Sequence, residues 1–372
     1  MLKRAIGTVT SILADRGSAQ ELGVEVSGAA ARAMAYPELT GRVSVGDRVL
    51  LNTTAIELDL GTGGWHFVIC NLSCEAPEED AAGPGHVMKL RYTPLQRAVL
   101  SVEEDDSPHR SAIEQFTSLD GLPVIIGQLH SQIAPAAAAV KRLSRVPTKV
   151  AYVMTDRAAL PLAFSNLVAE LKSAGIIDVT ITAGQAFGGD LEAVNAYTAL
   201  IAAKQVVKAD AVVVCQGPGN VGTGTAYGYS AIEQGELINA VHVLGGRAIA
   251  IPRVSFADAR PRHRGVSHHT LTALTRIAMA PALVALPVIE PTKLNLLEEQ
   301  LTRSGATLRH KVRILDGSPA VDELRSKGIR LKTMDRGYED DPEFFLAAAA
   351  AGAAAAQMVA ARRGGPGAVP EC

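Results

Sequence analysis

Cross-linking chemistry is the first thing this chain lacks. It carries four cysteines, Cys70, Cys74, Cys215 and Cys372, in 372 residues, too few and too scattered for a disulfide framework. Cys70 and Cys74 have no second pair to complete a zinc site, so all four read as reduced thiols. Aromatic residues make up only 4% of the chain, and none interleaves with basic residues, so the stacking surface that single-stranded nucleic acid needs is missing. An excess of one charge is missing too: 36 Lys and Arg face 38 Asp and Glu, for a net charge of -2. No global field draws the protein to nucleic acid or to an acidic membrane, and any preference for anions must come from local clusters. The one suspect apolar stretch, Leu346 to Arg363, is mostly alanine. It reads as a packed helix, because a membrane span wants about 20 strongly apolar residues. Met1 to Arg16 has no apolar run of the signal-peptide kind, and the expected location is cytoplasmic. Nucleophile motifs are absent as well: Gly228-Tyr229-Ser230-Ala231-Ile232 misses the last glycine of a nucleophile elbow.

What is present is a globular composition, 48% hydrophobic and 20% charged, with length enough for two domains. Residues 1–92 read as β-rich. Short apolar runs (Ala5 to Leu13, Leu22 to Val26, Arg48 to Leu51, Trp65 to Cys70, Val87 to Tyr92) alternate with turn signals such as Gly46-Asp47 and Gly61 to Gly64, and an acidic Pro/Gly loop spans Glu75 to Gly85. A small barrel or sandwich is expected there. Residues 93–363 form a second domain, whose rhythm changes from Leu122 onward. Near-continuous apolar strands at Pro123 to Gln128, Lys149 to Met154, Asp178 to Thr182, Ala211 to Cys215, Arg247 to Ile251, Ala282 to Val288 and Lys311 to Leu315 are separated by helical stretches, among them Leu191 to Val207 and Ala226 to Leu244. That pattern predicts an α/β, Rossmann-like, mostly parallel sheet covered by helices on both faces. Pro342 to Ala361 is a closing helix, and 364–372 a loose tail.

An open parallel sheet binds ligands beyond the carboxyl ends of its strands, and that is where the polar residues gather. His130 follows the first strand and Asp156 the second. After the fourth comes Gly217-Pro218-Gly219-Asn220-Val221-Gly222-Thr223-Gly224-Thr225. Glycines turn sharply and present bare N–H groups ahead of a helix, an arrangement suited to phosphate or carboxylate, with Thr223 and Thr225 adding hydroxyls. Gly217, Gly219 and Gly222 match the dinucleotide spacing, but the acid expected at the end of the next strand is replaced by Pro252-Arg253, and no P-loop ending follows. No cofactor is specified. The fifth strand is followed by Arg253, Asp258, Arg260, Arg262, His263, Arg264, Ser267, His268 and His269. Arginine grips anions through paired donors. Ser267 is a helix cap, which places His268 and His269 in a first turn whose dipole favours neutral imidazole. Each signal has a plainer reading: a tight turn for close packing, a solvated basic loop at an oligomer interface, a core histidine at position 130, a helix-capping Asp156. A metal site could combine His130, Asp156, Asp258, His263 and His268, though no ligand spacing fixes it and the metal stays unknown.

Gly127-Gln128-Leu129-His130-Ser131-Gln132, the Gly217 to Thr225 loop, and Arg253 to Asp258 continuing through Gly265 to Thr270 resemble the bacterial domain of unknown function 3866 family over nearly the whole chain. The resemblance implies a bacterial cytoplasmic protein of this length and brings no catalytic residues with it. The strand ends alone therefore carry the expectation: an enzyme acting on a small anionic, phosphorylated or nucleotide-like metabolite. Its anion is held by Gly217, Gly219, Asn220, Gly222, Thr223, Gly224, Arg253, Arg260 and Arg264, and its protons are moved by His130, His263 or His268, helped by Asp156 or Asp258. Two other classes share the same residues: a metabolite-sensing module without turnover, and a structural protein that uses the Arg/His segment as a homo-oligomer interface. Nucleic-acid and membrane partners are not expected.

Overall fold

The structure, a computed structural model, describes residues 2–60, 63–74 and 85–363. It divides into two compact units, Met1–Pro84 with Leu90–Val99 and Gly85–Lys89 with Leu100–Cys372.

The first unit is a closed barrel of β1 (Arg4–Asp15), β2 (Gln20–Val26), β3 (Ala29–Ala35), β4 (Arg48–Asn52) and β5 (His66–Asn71), in the order β1-β2-β3-β5-β4. Val9, Leu22, Val24, Val49, Leu51 and Val68 fill its interior. Strand β3 is one that the apolar pattern misses, because its AAARAMA sequence has little β propensity. Its hairpin partner holds it: Ser27 and Gly28 both take positive φ (52° and 81°), the two-residue turn whose twist matches that of paired strands. Conversely, the Val87 to Tyr92 run is a strand only over Val87–Lys89, because Leu90 and Tyr92 turn into the left-handed region. Most of the acidic loop, 75–84, together with Gly61, Cys372 and the 364–372 tail, lies outside the described residues.

The second unit is an all-parallel, eight-stranded sheet. Its strands are β6 (Pro123–Ile126), β7 (Val150–Thr155), β8 (Val179–Ala183), β9 (Leu191–Ala193), β10 (Ala211–Gln216), β11 (Arg247–Ala250), β12 (Leu283–Pro287) and β13 (Lys311–Leu315). They lie side by side as β9-β8-β7-β10-β6-β11-β12-β13. Alternate residues of each central strand enter opposite cores, since side chains alternate across a sheet. Ile125, Tyr152, Val213 and Ile249 face α1 (Ile133–Leu143), α2 (Asn166–Ser173), α7 (Ser318–Ser326) and α8 (Pro342–Arg362). Val124, Val153, Val212 and Ala250 face α3 (Ala196–Gln205), α4 (Glu233–Val243) and α6 (Pro291–Ser304). α8 is long and apolar enough by length and composition to cross a bilayer, but Phe344, Phe345 and the alanines from Ala347 to Ala356 are buried against the sheet and α1.

Two helical expectations are corrected. The Leu191 to Val207 stretch opens as the edge strand β9 and becomes helical only from Ala196, where the Asn195 side chain accepts hydrogen bonds from the Tyr197 and Thr198 amides. The Ala226 to Leu244 stretch is helical only from Ser230 onward, first as a single 3-10 turn and then as α4. Gly222 pairs with Tyr229, and the Thr223 amide and hydroxyl both donate to the Gly228 carbonyl, so 221–229 is held as a loop.

Strands β6 and β10 are neighbours whose chains leave in opposite directions, β6 toward α1 on one face and β10 toward α4 on the other. The gap between such diverging connections is the natural ligand crevice of an open α/β sheet.

Candidate functional site

Four buried glutamines tie the divergence together. The Gln132 side-chain oxygen accepts the Gln128 and Leu129 amides at 2.8 and 3.1 Å. Gln216 donates to the Gln128 carbonyl at 2.9 Å, and Gln234 donates to the strand-end carbonyls of Ile126 and Ile251 at 2.8 and 2.9 Å. The Gln128 side chain in turn accepts the Thr270 hydroxyl at 2.8 Å, which fastens the start of α5 (His268–Thr272) to the end of β6. Gln234, one turn into a helix and far from any strand end in sequence, has no local signal that separates it from an ordinary surface glutamine.

After β11 the chain forms a short antiparallel pair, Val254–Ser255 with Gly265–Val266, and the turn between them projects the arginines. Arg253 is 3% exposed, with Nη2 3.3 Å from Asp258 Oδ2. Arg260 clasps the same carboxylate with two bonds, Nε to Oδ1 at 2.9 Å and Nη2 to Oδ2 at 2.7 Å. These contacts, the Arg260 hydrogen bond foremost, hold the Asp258 carboxyl far below the usual carboxylate range. Burial pushes the Arg253 guanidinium down to about 10, against the pull of Asp258. Asp258 is thus a poor base and acts as an anchor for Arg253 and Arg260. Arg262 and Arg264 are exposed, and neither has an ion-pair partner among the described residues.

Ser267 caps α5 by accepting the His269 amide, and the same hydroxyl meets His263 Nδ1 at 2.8 Å. His263, His268 and His269 then converge, one ligand-type atom from each within 4.8 Å of the others. His263 is 2% and His269 4% exposed. His269 lies flat against Tyr229, ring centroids 3.9 Å apart and planes 4° from parallel, and the Tyr229 hydroxyl donates to the His269 carbonyl at 2.7 Å. Burial is the main reason all three imidazoles are kept neutral: His263 falls to about 4, with Arg253 and Arg260 adding to the effect, His269 falls to about 3, and His268 is lowered as well. Both ring nitrogens of His269, and Nε2 of His268, are buried without a hydrogen-bond partner among the described residues. Buried polar atoms are normally satisfied, so each orphan calls for an explanation.

The glycine loop borders this cluster. A Cβ on Gly222 would sit 3.2 Å from His269 Cε1, and one on Gly224 would sit 3.6 Å from Arg262 Nη2. Only Gly219 and Gly224 of the loop take positive φ (105° and 81°). The Asn220 side-chain oxygen accepts from Gln216 and Ser230, and the Thr223 hydroxyl is engaged by Gly228 and Thr225. The loop's own polar groups therefore shape it as a flap beside the histidines.

Of the residues expected from the sequence, His263 and His268 meet, and His269 joins them. His130 belongs to a different network. Its Nε2 is 2.6 Å from the Ser165 hydroxyl and its Nδ1 3.3 Å from the Tyr152 hydroxyl, and burial lowers it to about 4. Asp156 accepts the Gln185 amide at 2.9 Å and lies so close under Gly184 that a Cβ there would be 2.2 Å from its Oδ2. It lines a separate cleft of about 750 Å³ with Arg157, Gln185, Tyr197, Glu233 and Glu236. In that cleft Glu233 accepts the Thr155 hydroxyl at 2.6 Å, and burial raises its carboxyl to about 7. An acid whose folded pKa exceeds its unfolded one stabilises fully below the unfolded value, and that stability is lost as pH rises through the folded value. The Glu233→Gln protein should therefore lie close to wild type at pH 4 and exceed it by about 3 kcal/mol at pH 8. Urea unfolding at the two pH values checks this, and an equal difference at both would count against it.

Fold and site together define a barrel-bearing, doubly wound α/β protein with an imidazole and arginine cluster at the carboxyl edge of its sheet. The chain belongs to the family described as a protein of unknown function (DUF3866), whose model matches residues 32–352. No curated protein matches it.

Proposed function

We propose that the chain is an enzyme that acts on a small anionic metabolite, phosphorylated or carboxylated, at the His263–His268–His269 cluster. The observation that carries this reading is the set of orphaned ring nitrogens in that cluster, next to the exposed guanidinium of Arg262, whose charge acts on His268 and His269. Neutral imidazoles keep a lone pair for a proton or a Lewis acid, and the exposed Arg262 holds an anion at the same place. Arg253, Arg260 and Asp258 frame the site, and the Gly217–Gly224 flap with Asn220 and Thr223 borders it. Asp156 and His130 lie in separate environments and have no part in this chemistry.

A thermal-shift screen of phosphorylated and carboxylated metabolites tests the reading, followed by mass-spectrometric detection of turnover for any that stabilise. Stabilisation should be lost by about tenfold or more in affinity in Arg262→Ala, the scale of one charged hydrogen bond, and turnover should vanish in His269→Asn. Stabilisation without turnover would favour the sensing module instead, and no stabilisation by any anion would overturn both.

A further inference from the structure

We infer that His263, His268 and His269 form the ligand set of a divalent transition-metal centre of the zinc class, with one coordination position left open. The inference deepens the proposed function by naming the cofactor of the same site, and its test does not require that function's substrate.

Three lines of geometry converge on it. The first is spacing. Two nitrogens on one tetrahedral zinc, at about 2.0–2.1 Å from the metal, are about 3.4 Å apart. The three rings already bring one nitrogen each within 4.8 Å of the others, at most about 1.4 Å wider than that spacing. The second is the orphaned atoms: His269 Nδ1 and Nε2 and His268 Nε2 are buried with no partner among the described residues. His269 is 4% exposed, so bulk water does not reach it, and Tyr229 stacking on its ring covers a face but offers no acceptor. A metal ion takes one lone pair from each ring; the second nitrogen of His269 then carries the proton. The third is the support around the ligands. A ligating histidine usually has its other ring nitrogen fixed by a second group, and a held backbone limits where its ring can go. Here the Ser267 hydroxyl engages His263 Nδ1 at 2.8 Å, which leaves Nε2 for coordination, and the Tyr229 hydroxyl fixes the His269 backbone at 2.7 Å.

The chemistry of the donor set points the same way. Three imidazoles with no thiolate and no carboxylate are the ligands of an open catalytic site, where a fourth position is left to water or substrate. The only carboxylate of the Arg/His segment, Asp258, is consumed by Arg253 and Arg260. A dication surrounded by arginines needs an anion in its open position, and that anion is hydroxide or the acidic group of the metabolite.

The full-length protein is stripped with a chelator and titrated with zinc by calorimetry and with cobalt by visible absorption. One zinc per chain and a tetrahedral-type cobalt spectrum are expected. His263→Ala and His269→Ala should each weaken zinc binding by at least about 100-fold, while exposed His242→Ala should not change it. Because a buried histidine can also matter for folding, His268→Cys gives an independent readout: cobalt binding should persist with a new thiolate-to-cobalt charge-transfer band. Absence of stoichiometric metal in the wild type, undiminished binding in both alanine variants, or a His268→Cys cobalt complex without a thiolate band would each overturn the metal centre. If metal binding fails while anions still stabilise the protein through Arg262, the metal falls and the anion-binding reading stands.

Discussion

The Gly352→Ala protein should be less stable than wild type by about 2 kcal/mol or more, and Gly352→Leu should not fold. On a solvent-facing helix the first change would stabilise, because alanine exceeds glycine in helix propensity by about 1 kcal/mol. Gly352 sits in the middle of α8, where that helix crosses α1. A Cβ there would lie 2.2 Å from the Ala136 carbonyl oxygen and 2.6 Å from the Ala139 Cβ. The first of these is backbone, so no side-chain rotation relieves it, and the two helices must part. Alanines predominate in the core they share, Ala136 to Ala139 from α1 and Ala348 to Ala351 with Ala353 to Ala355 from α8, and parting the helices opens gaps that small side chains cannot refill. Denaturant unfolding of the alanine variant decides the sign; a gain in stability would mean that the helices do not approach this closely.

The second large effect concerns acid. His130 is held near pKa 4 by burial, below its ordinary 6.5, and His310 is lowered too, with its Nδ1 accepting the Ala282 amide and its Nε2 facing the Leu274 carbonyl. For a base whose folded pKa is depressed, the unfolded chain binds the extra proton first. Stability is complete above pH 6.5 and falls as pH drops from 6.5 toward 4. His130 alone should remove about 3 kcal/mol over that interval, a sizeable part of the 5–15 kcal/mol typical of a folded domain. Any other groups that titrate there are common to wild type and to His130→Gln. The difference between the two proteins should shrink steadily below pH 6.5 in urea midpoints. Parallel curves would show that His130 does not titrate in this range.

Much of the fold was legible because the central strands are buried on both sides. Runs such as Val212-Val213-Val214 and Val124-Ile125-Ile126 have no polar face, and that marks strands covered by helices before any pairing is known. Strand β3 was not legible, since alanine carries no β signal and only the Ser27-Gly28 turn and its partner strand fix it. The candidate site divides in the same way. That polar residues would gather after β6, β10 and β11 follows from the strand-end rule, and the Ser267 cap with two histidines behind it is a local pattern that the structure reproduces. Pairings between segments distant in the chain left no trace in the local sequence. Nothing near Asp258 says whether its two oxygens face solvent or two guanidinium groups. Nothing near Tyr229 says that its ring will lie on His269, or near Thr223 that its hydroxyl will turn inward to Gly228. His130 looks like a site residue in one dimension and is claimed by Ser165 and Tyr152 in three.

The strand order also governs how this molecule comes into being. Val124, in the first strand of the sheet to be synthesised, pairs with Val212 on one side and Ala248 on the other. That strand emerges from the ribosome long before either neighbour exists, its apolar side chains uncovered and its amides unpaired. The centre of the sheet cannot close until β11 has been made, and the histidine segment follows directly behind it. Contacts so distant in sequence form slowly, and the waiting chain is vulnerable to aggregation, the circumstance in which chaperones are needed.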